Sequence, residues 1–434
     1  MIESSAIAAI LPHFLERQRW VAGRVESVSI SSLEVLKSDW PMLVQVLAEG
    51  GQNESPAHYH VLVGLRPLGE PAPFLEGLPE GLLGDVATGE GPAFAYDALR
   101  DGDLGKFIFE LVAPKLESPE VVRPVAAEQS NTSLIYDDKW ILKVFRKLIQ
   151  GQSLDVEVTQ ALWDNGFQNV PEPVAEWRGE SFDFGILRKF IVGGSEGFAM
   201  TQTSLRDFLT DGGDPAMAGG DFSSEASRLG EMTARMHLAL ATAFGSEPGS
   251  PLDWAKSLED TLDRVPVAEI DRAAVNEVVE SIRDVADAGK SIRVHGDFHL
   301  GQVMRADEGW VVLDFEGEPA RPIEERRRPT SPLKDVGGML RSFHYASQIA
   351  AGLQDEVAST AEAWERLNRD SFLKGYLDTE GIAQLIPSDE SFSIVLRAFE
   401  IEKAIYEVGY EEAYRPEWIK IPLRGLTRLL AGVS

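Results

Sequence analysis

The sequence contains no cysteine, which excludes disulfides, thiolate metal sites and a cysteine nucleophile and leaves the redox compartment open. Positive charge is scarce. Lysine and arginine total 41 against 70 aspartates and glutamates, a formal net charge of −29. So acidic a chain argues against nucleic acid or anionic membrane as the main partner, because both need cationic patches. An anionic substrate must then be held by a local cation or a metal ion. No apolar run approaches the ~18 residues needed to cross a bilayer. Residues 1–20 are broken at Pro12 and His13 and lack the cationic start and small-residue cleavage site of a secretory signal, so a cytoplasmic protein is expected. A Walker P-loop, a Rossmann GxGxxG, internal repeats and a low-complexity tail are also missing.

What is present is an ordinary globular composition, 44% apolar and 26% charged over 434 residues, enough for two or three domains of ~150 residues. Ile7, Ile10, Leu11, Phe14 and Leu15 recur at helical spacing, and β-like runs follow at 25–30, 42–47 and 59–65. Residues 66–92 are dense in glycine and proline, so a boundary or long connection is expected there. A helix is expected at 95–112, strands at 121–126 and 133–145 around a loop, a helix at 153–163 and a strand at 182–191. From Ser204 onward the pattern turns helical, at 204–209, 224–243, 258–264, 270–288, 332–350, 355–375 and 391–414, with β-type signal only at 292–294 and 310–315. A strand-rich first half and a helical second half make an α+β, two-lobed chain.

The most informative window is His295-Gly296-Asp297-Phe298-His299-Leu300-Gly301-Gln302, followed by Leu313-Asp314-Phe315-Glu316. An aspartate, an amide five residues later and a second aspartate after twelve more have the spacing of a kinase catalytic loop and its metal-binding element. Such a set suits phosphoryl transfer. One carboxylate, Asp297, orients and deprotonates an acceptor hydroxyl, while Gln302 and Asp314, with Glu316 on the same side of an extended segment, hold Mg²⁺ through oxygen. His-Gly-Asp alone is equally compatible with an ordinary acidic turn; the whole constellation is not.

Nucleotide phosphates need a cation. Lys143 sits inside the apolar strand 140–145, where an uncompensated charge is costly, and Glu157 on the following helix is the expected partner. A solvent-facing lysine at a strand edge is the alternative. The loop containing Gln129, Ser130, Asn131, Thr132 and Ser133 could cover the phosphates with N–H and hydroxyl donors, although it has no glycine.

These stretches, together with 18–24, 313–322, 325–343 and 402–411, span nearly the whole chain and resemble the bacterial aminoglycoside-phosphotransferase-like kinases, within them the maltokinases. The resemblance implies a bilobal, protein-kinase-like fold. Residues 1–90 would form an N-terminal cap, 91–195 a β-rich subdomain completing the ATP-binding N-lobe, and 196–434 a helical C-lobe with the catalytic and acceptor sites. It implies ATP and Mg²⁺ bound between the lobes, and phosphorylation of maltose at its anomeric hydroxyl to maltose 1-phosphate, feeding α-glucan (glycogen) synthesis. Asp297 matches the catalytic base, Gln302 and Asp314 the metal ligands, and Lys143 with Glu157 the phosphate-binding pair. Adenine would lie against 188–191, which contains Lys189, Phe190 and Ile191. Gln302 replaces the more usual asparagine and Asp-Phe-Glu the more usual Asp-Phe-Gly, both as in the maltokinase subgroup. A kinase acting on glucosamine, another sugar or an aminoglycoside is a second reading; members of the family can be fused to or associated with trehalose synthase, so a partner or regulatory role, with the cap docking, is a third.

For the acceptor, Lys403, Tyr406, Glu407, Tyr410, Glu411 and Tyr414 share one helix face, with Trp418 just beyond. Aromatic rings would stack on the sugar and charged groups take its hydroxyls; a solvated stripe with internal Lys–Glu pairs is the alternative. Ile394, Ala398, Ile401, Ile405 and Val408 are expected to pack. His295 is placed with the acceptor residues and, with His299, is expected to hold the catalytic loop. His237 is expected to be a hydrogen-bonded packing histidine. Residues 326–328, three arginines, would orient the acidic loop, bind phosphate or lie solvated beside Glu324 and Glu325.

Overall fold

The computed structural model describes residues 4–21, 28–50, 57–125, 131–215, 217–218, 220–319, 321–352 and 355–432. The chain divides into two compact units, residues 1–157 with 171–192 and residues 158–170 with 193–434.

In the first unit, α1 (Ser4–Glu16) precedes β1 (Val28–Lys37), β2 (Met42–Gly50), β3 (Ala57–Pro67), β4 (Leu82–Thr88) and β5 (Gly91–Asp97). α2 (Gly102–Val112) follows, then β6 (Val122–Pro124), β7 (Asn131–Tyr136), β8 (Trp140–Phe145), β9 (Lys147–Leu148), α3 (Leu154–Asp164), of which residues from Val158 belong to the second unit, β10 (Pro173–Arg178) and β11 (Asp183–Lys189). One antiparallel sheet runs β1-β2-β3-β5-β4 with β9 on β3, and a second runs β10-β11-β8-β7-β6.

The central strands β2 and β3 of the first sheet are buried on both faces, which explains the nearly continuous apolar run in β2. Val44, Val46, Val61 and Val63 pack with Ile7, Leu11 and Phe14 of α1. Leu43 and Leu62 point the other way, into a core shared with Leu104, Ile108 and Phe109 of α2 and Leu134, Leu142 and Ile186 of the second sheet. Residues 66–92 are therefore a connection inside one sheet, since β5 pairs with both β3 and β4.

The second unit holds β12 (Ser195–Glu196), α4 (Gly197–Thr210), α5 (Ser223–Phe244), β13 (Ser246–Pro248), α6 (Pro251–Arg264), α7 (Arg272–Arg283), β14 (Lys290–Ile292), β15 (Val303–Ala306) and β16 (Gly309–Val312). It continues with α8 (Ile323–Arg326), α9 (Leu333–Ala350), α10 (Asp355–Leu377), α11 (Asp389–Tyr414) and α12 (Lys420–Leu430). α9 is buried almost all round, as a helix at the centre of a bundle must be. No described helix is long and apolar enough to cross a membrane.

Most expected helices are found within a few residues. The helix expected at 95–112 is cut at its start, because 95–97 belong to β5 and Asp101 caps α2 by accepting from Asp103 N. The single strand expected at 133–145 is two, β7 and β8, folded at Asp137 and Asp138, both with positive φ. β10 and α12 are not among the expected elements.

Candidate active site

β8 pairs with both β7 and β11, and this places Lys143 opposite Ser133 on one side and Ile186 on the other. Gly185 is obligatory beside it: a Cβ there would meet Lys143 O at 2.5 Å. Lys143 Nζ donates to Asp155 Oδ2 at 3.0 Å, and Arg188 Nη2 lies 2.8 Å from Asp155 Oδ1. Burial works against the Asp155 charge, but Arg188 and Lys143 outweigh it and hold the carboxyl far below its ordinary value. Asp155, two positions before the Glu157 to which the sequence points, thus places a carboxylate on Lys143.

Asn131, Thr132 and Ser133 are not loop but the start of β7, their backbone committed to the ladder with β8. The Thr132 hydroxyl accepts from Arg146 Nε at 2.9 Å. Gln129 and Ser130 lie outside the described residues. Lys189 N donates to Glu172 O and Phe190 N to Lys139 O, so neither N–H is left for a nucleobase; Ile191 is half-buried just beyond.

In the second unit, the loop between β14 and β15 carries Asp297. Asp335, in the first turn of α9, accepts from His295 N at 2.8 Å and Gly296 N at 2.9 Å. The same carboxylate meets His237 Nε2 at 3.2 Å, and His237 Nδ1 meets Tyr376 OH at 2.9 Å. His237 is a buried packing histidine, as expected, with the added task of holding Asp335. Glycines permit the approach: Gly296 turns the loop at φ +85°, and a Cβ on Gly338 would strike Phe298 O at 2.6 Å. His295 Nε2 donates to Leu313 O at 2.9 Å, so Nδ1 is the acceptor that faces Asp297 N at 3.3 Å. Its ring packs on Phe298 and Phe315. His295 therefore joins the catalytic loop to the Asp314 segment, a holding role in place of an acceptor contact. His299 is half-buried, and desolvation lowers its pKa.

Asp314 sits at φ +60°, a conformation costing a non-glycine residue about 1–3 kcal/mol. Leu313 N, bonded to Gln302 O at 2.8 Å, and Leu313 O, bonded to His295, fix the residue before it. Gln302 Nε2 lies 3.5 Å from Asp314 Oδ2, and carboxylate oxygens of Asp314 and Glu316 lie within 4.8 Å of each other. Two carboxylates and an amide, whose oxygen can replace its nitrogen by a flip, fit a hard divalent cation. Arg326 Nη1 donates to Glu316 O at 2.9 Å, so this arginine orients the acidic loop.

The face of α11 divides. Lys403 Nζ donates to Asp297 Oδ1 and to Glu318 Oε1, each at 2.8 Å. Burial pushes the Asp297 carboxyl up, but the Lys403 charge overrides it and brings the carboxyl below its ordinary value. Glu407 is bound by Arg341 through Oε2, and Glu411 by Arg415 and Tyr345; each carboxylate expected to grip an acceptor has a partner within the protein. Tyr406 and Tyr410 stack at 6.5 Å between ring centroids, and Tyr410 and Tyr414 at 4.8 Å. The Arg415 guanidinium lies over Tyr410 at 5.5 Å and over Trp418 at 4.6 Å. Ala398, Ile401, Ile405 and Val408 pack as expected, whereas Ile394 is exposed.

Asp155, Asp335 and Glu318 are absent from the sequence-based set. Asp335 had a signal, as the acid in the first turn of a helix that follows the metal acids. Glu318 is the third acid of 314–318.

Residues 121–368, more than half of the chain, match the phosphotransferase enzyme family, and residues 14–101 match the maltokinase N-terminal cap domain. A glucosamine kinase of Mycolicibacterium smegmatis is 26% identical over 364 residues, covering 80% of this chain and 89% of that one. One from Streptacidiphilus jiangxiensis is 29% identical over 337 residues, covering 71% and 73%. Among solved structures, a glucosamine kinase in complex with glucosamine, ADP and inorganic phosphate superposes with a TM-score of 0.68 at 19% identity, covering 99% of this chain and 100% of that one. A second crystal form gives 0.69 at 21% identity, covering 99% of each. These likenesses establish the expected protein-kinase-like fold with its N-terminal cap, and the chain belongs to the phosphotransferase enzyme family.

Proposed function

We propose that this ATP-dependent sugar kinase phosphorylates maltose at the anomeric hydroxyl. Asp297 is the acceptor's base: its loop is held by Asp335 from α9, and its carboxylate is ionised and aimed by contacts from α11. Lys143, kept charged by Asp155, takes the nucleotide phosphates. Gln302, Asp314 and Glu316 would hold Mg²⁺, which when bound neutralises charge on the transferring phosphoryl group. The chain's own work is positioning and charge balance, the main demands of phosphoryl transfer.

The observation that carries the acceptor reading is the tyrosine ladder. Tyr406, Tyr410 and Tyr414 extend eight residues along α11, about 12 Å at 1.5 Å per residue, a platform suited to two pyranose rings in line. The match to the maltokinase cap supports the same reading.

Glucosamine is the second reading, favoured by the names of the relatives. An amino sugar calls for a free carboxylate, and Glu407 and Glu411 on this face are both engaged. Phosphate transfer from ATP to maltose, glucose, glucosamine, trehalose and kanamycin, with the product position read by NMR, tests the choice. Maltose 1-phosphate as the dominant product is expected; glucosamine phosphate in its place overturns the maltose reading and leaves the kinase core standing.

A further inference from the structure

Five charged side chains run in series into the second unit's loop. Glu402 accepts from Ser257 at 2.6 Å and from Arg321 Nη2 at 2.7 Å. Arg321 in turn binds Glu318, which is 2% exposed, and Glu318 shares the Lys403 ammonium with Asp297. Each member is fastened before the next, so the ammonium has little freedom to swing. The ring of Tyr406 closes its remaining side at 4.6 Å.

We infer that Lys403 is a positioning residue: anchored by Glu318, it pins Oδ1 of Asp297 so that Oδ2 is the oxygen presented to the acceptor hydroxyl. The inference rests on reading Asp297 as the base. A carboxylate held at one oxygen keeps one orientation, and near-attack geometry is worth several orders of magnitude in rate. Among the described residues no hydrogen bond is made to Oδ2. The adjacent cation also makes Asp297 a weaker base than a solitary buried carboxylate, adequate where the hydroxyl proton moves late in a loose transition state. The charged and titratable groups facing Asp297 are Lys403, Glu402 and Tyr406 from α11, Glu318 and Arg321 from the loop after β16, Lys334 from α9, and His299 on its own loop. Lys403 is the cation that touches it.

The test is the pH dependence of kcat, at saturating ATP and Mg²⁺ and with the sugar selected above, for the wild type, Lys403→Met, Lys403→Arg and Asp297→Asn. Lys403→Met should lower kcat about 10–100-fold, leave KM for ATP within about twofold, and move the acid limb of log kcat up by about one pH unit or more, because burial then acts on Asp297 without its main opponent. Lys403→Arg should keep the acid limb low and restore part of the rate. An unmoved acid limb in Lys403→Met, or a loss confined to the sugar KM, overturns the inference. Should Lys403→Met fail to fold, Lys403→Arg decides: lower kcat at constant sugar KM supports positioning, and a raised sugar KM with intact kcat overturns it. Near-wild-type turnover by Asp297→Asn would strike the base reading itself, a failure separable from that of Lys403.

Discussion

Arg341 of α9 and Glu407 of α11 form a closed pair in which Nε and Nη2 both donate to one oxygen, Oε2, at 3.1 and 2.7 Å. Arg341 is 2% exposed. Removing one partner of such a pair strands the other, at about 3–5 kcal/mol, while replacing both is far milder. Glu407→Gln and Arg341→Met should each lower the denaturant midpoint markedly, and the double variant should recover most of the loss. A Glu407→Gln protein of unchanged midpoint whose sugar KM rises tenfold would return Glu407 to the acceptor site.

The two oxygens of Asp335 hold consecutive N–H groups of the loop that carries Asp297. Asp335→Asn keeps the shape but replaces one acceptor oxygen by a donor. Its kcat should fall about 10–100-fold, with nucleotide affinity measured by calorimetry unchanged. Equal losses in nucleotide affinity and kcat would point to a general disturbance of the unit.

Asp155 is shared by Lys143 and Arg188, so the two sides of this contact should respond differently. In Lys143→Met, Arg188 still compensates Asp155; the fold should survive with ADP affinity down about tenfold or more, about 1.4 kcal/mol. In Asp155→Asn two cations lose their shared anion, and the unfolding free energy should fall by about 3–5 kcal/mol. Unaltered ADP binding in a folded Lys143→Met protein would remove Lys143 from the nucleotide site.

Much of this was legible in advance, and what was not has a physical reason. The spacing of Asp297, Gln302 and Asp314 marks a catalytic loop because the chemistry needs those groups at those intervals along one chain segment. The partners of Lys143, Asp297 and Glu407 were not legible, because they come from other strands and helices brought close only by folding. Asp155 is as good an acid as Glu157 on the same helical turn, and only the rotation of α3 shows that it reaches Lys143. Residues 131 and 132 read as loop because their polar side chains mask the start of a strand that pairs with the one carrying Lys143. Glu407 and Glu411 look like solvated, sugar-ready acids until α9 supplies Arg341 and Tyr345.

His60 provides a pH test of the first unit. Its Nε2 faces Gln45 Nε2 at 2.9 Å and its Nδ1 faces Phe145 O at 3.2 Å. Burial, reinforced by the Arg146 charge, lowers its pKa to about 3. The unfolded chain takes up its proton near pH 6.5 and the folded one does not, so this contribution is complete above pH 6.5 and is lost as pH falls toward 3. Between pH 7 and pH 5 the unit should lose about 2 kcal/mol, a slope that His60→Asn should abolish in denaturant melts. An unchanged slope in that variant would show that His60 is not the titrating group.

The central claim is that Asp297 is the base of a sugar kinase, and phosphoryl transfer by Asp297→Asn measures it most directly. With ATP, Mg²⁺ and maltose at saturation, turnover should fall about 10³-fold, while ADP affinity and the denaturation midpoint stay near those of the wild type. A variant that still turns over within a few-fold of the wild type would contradict the account.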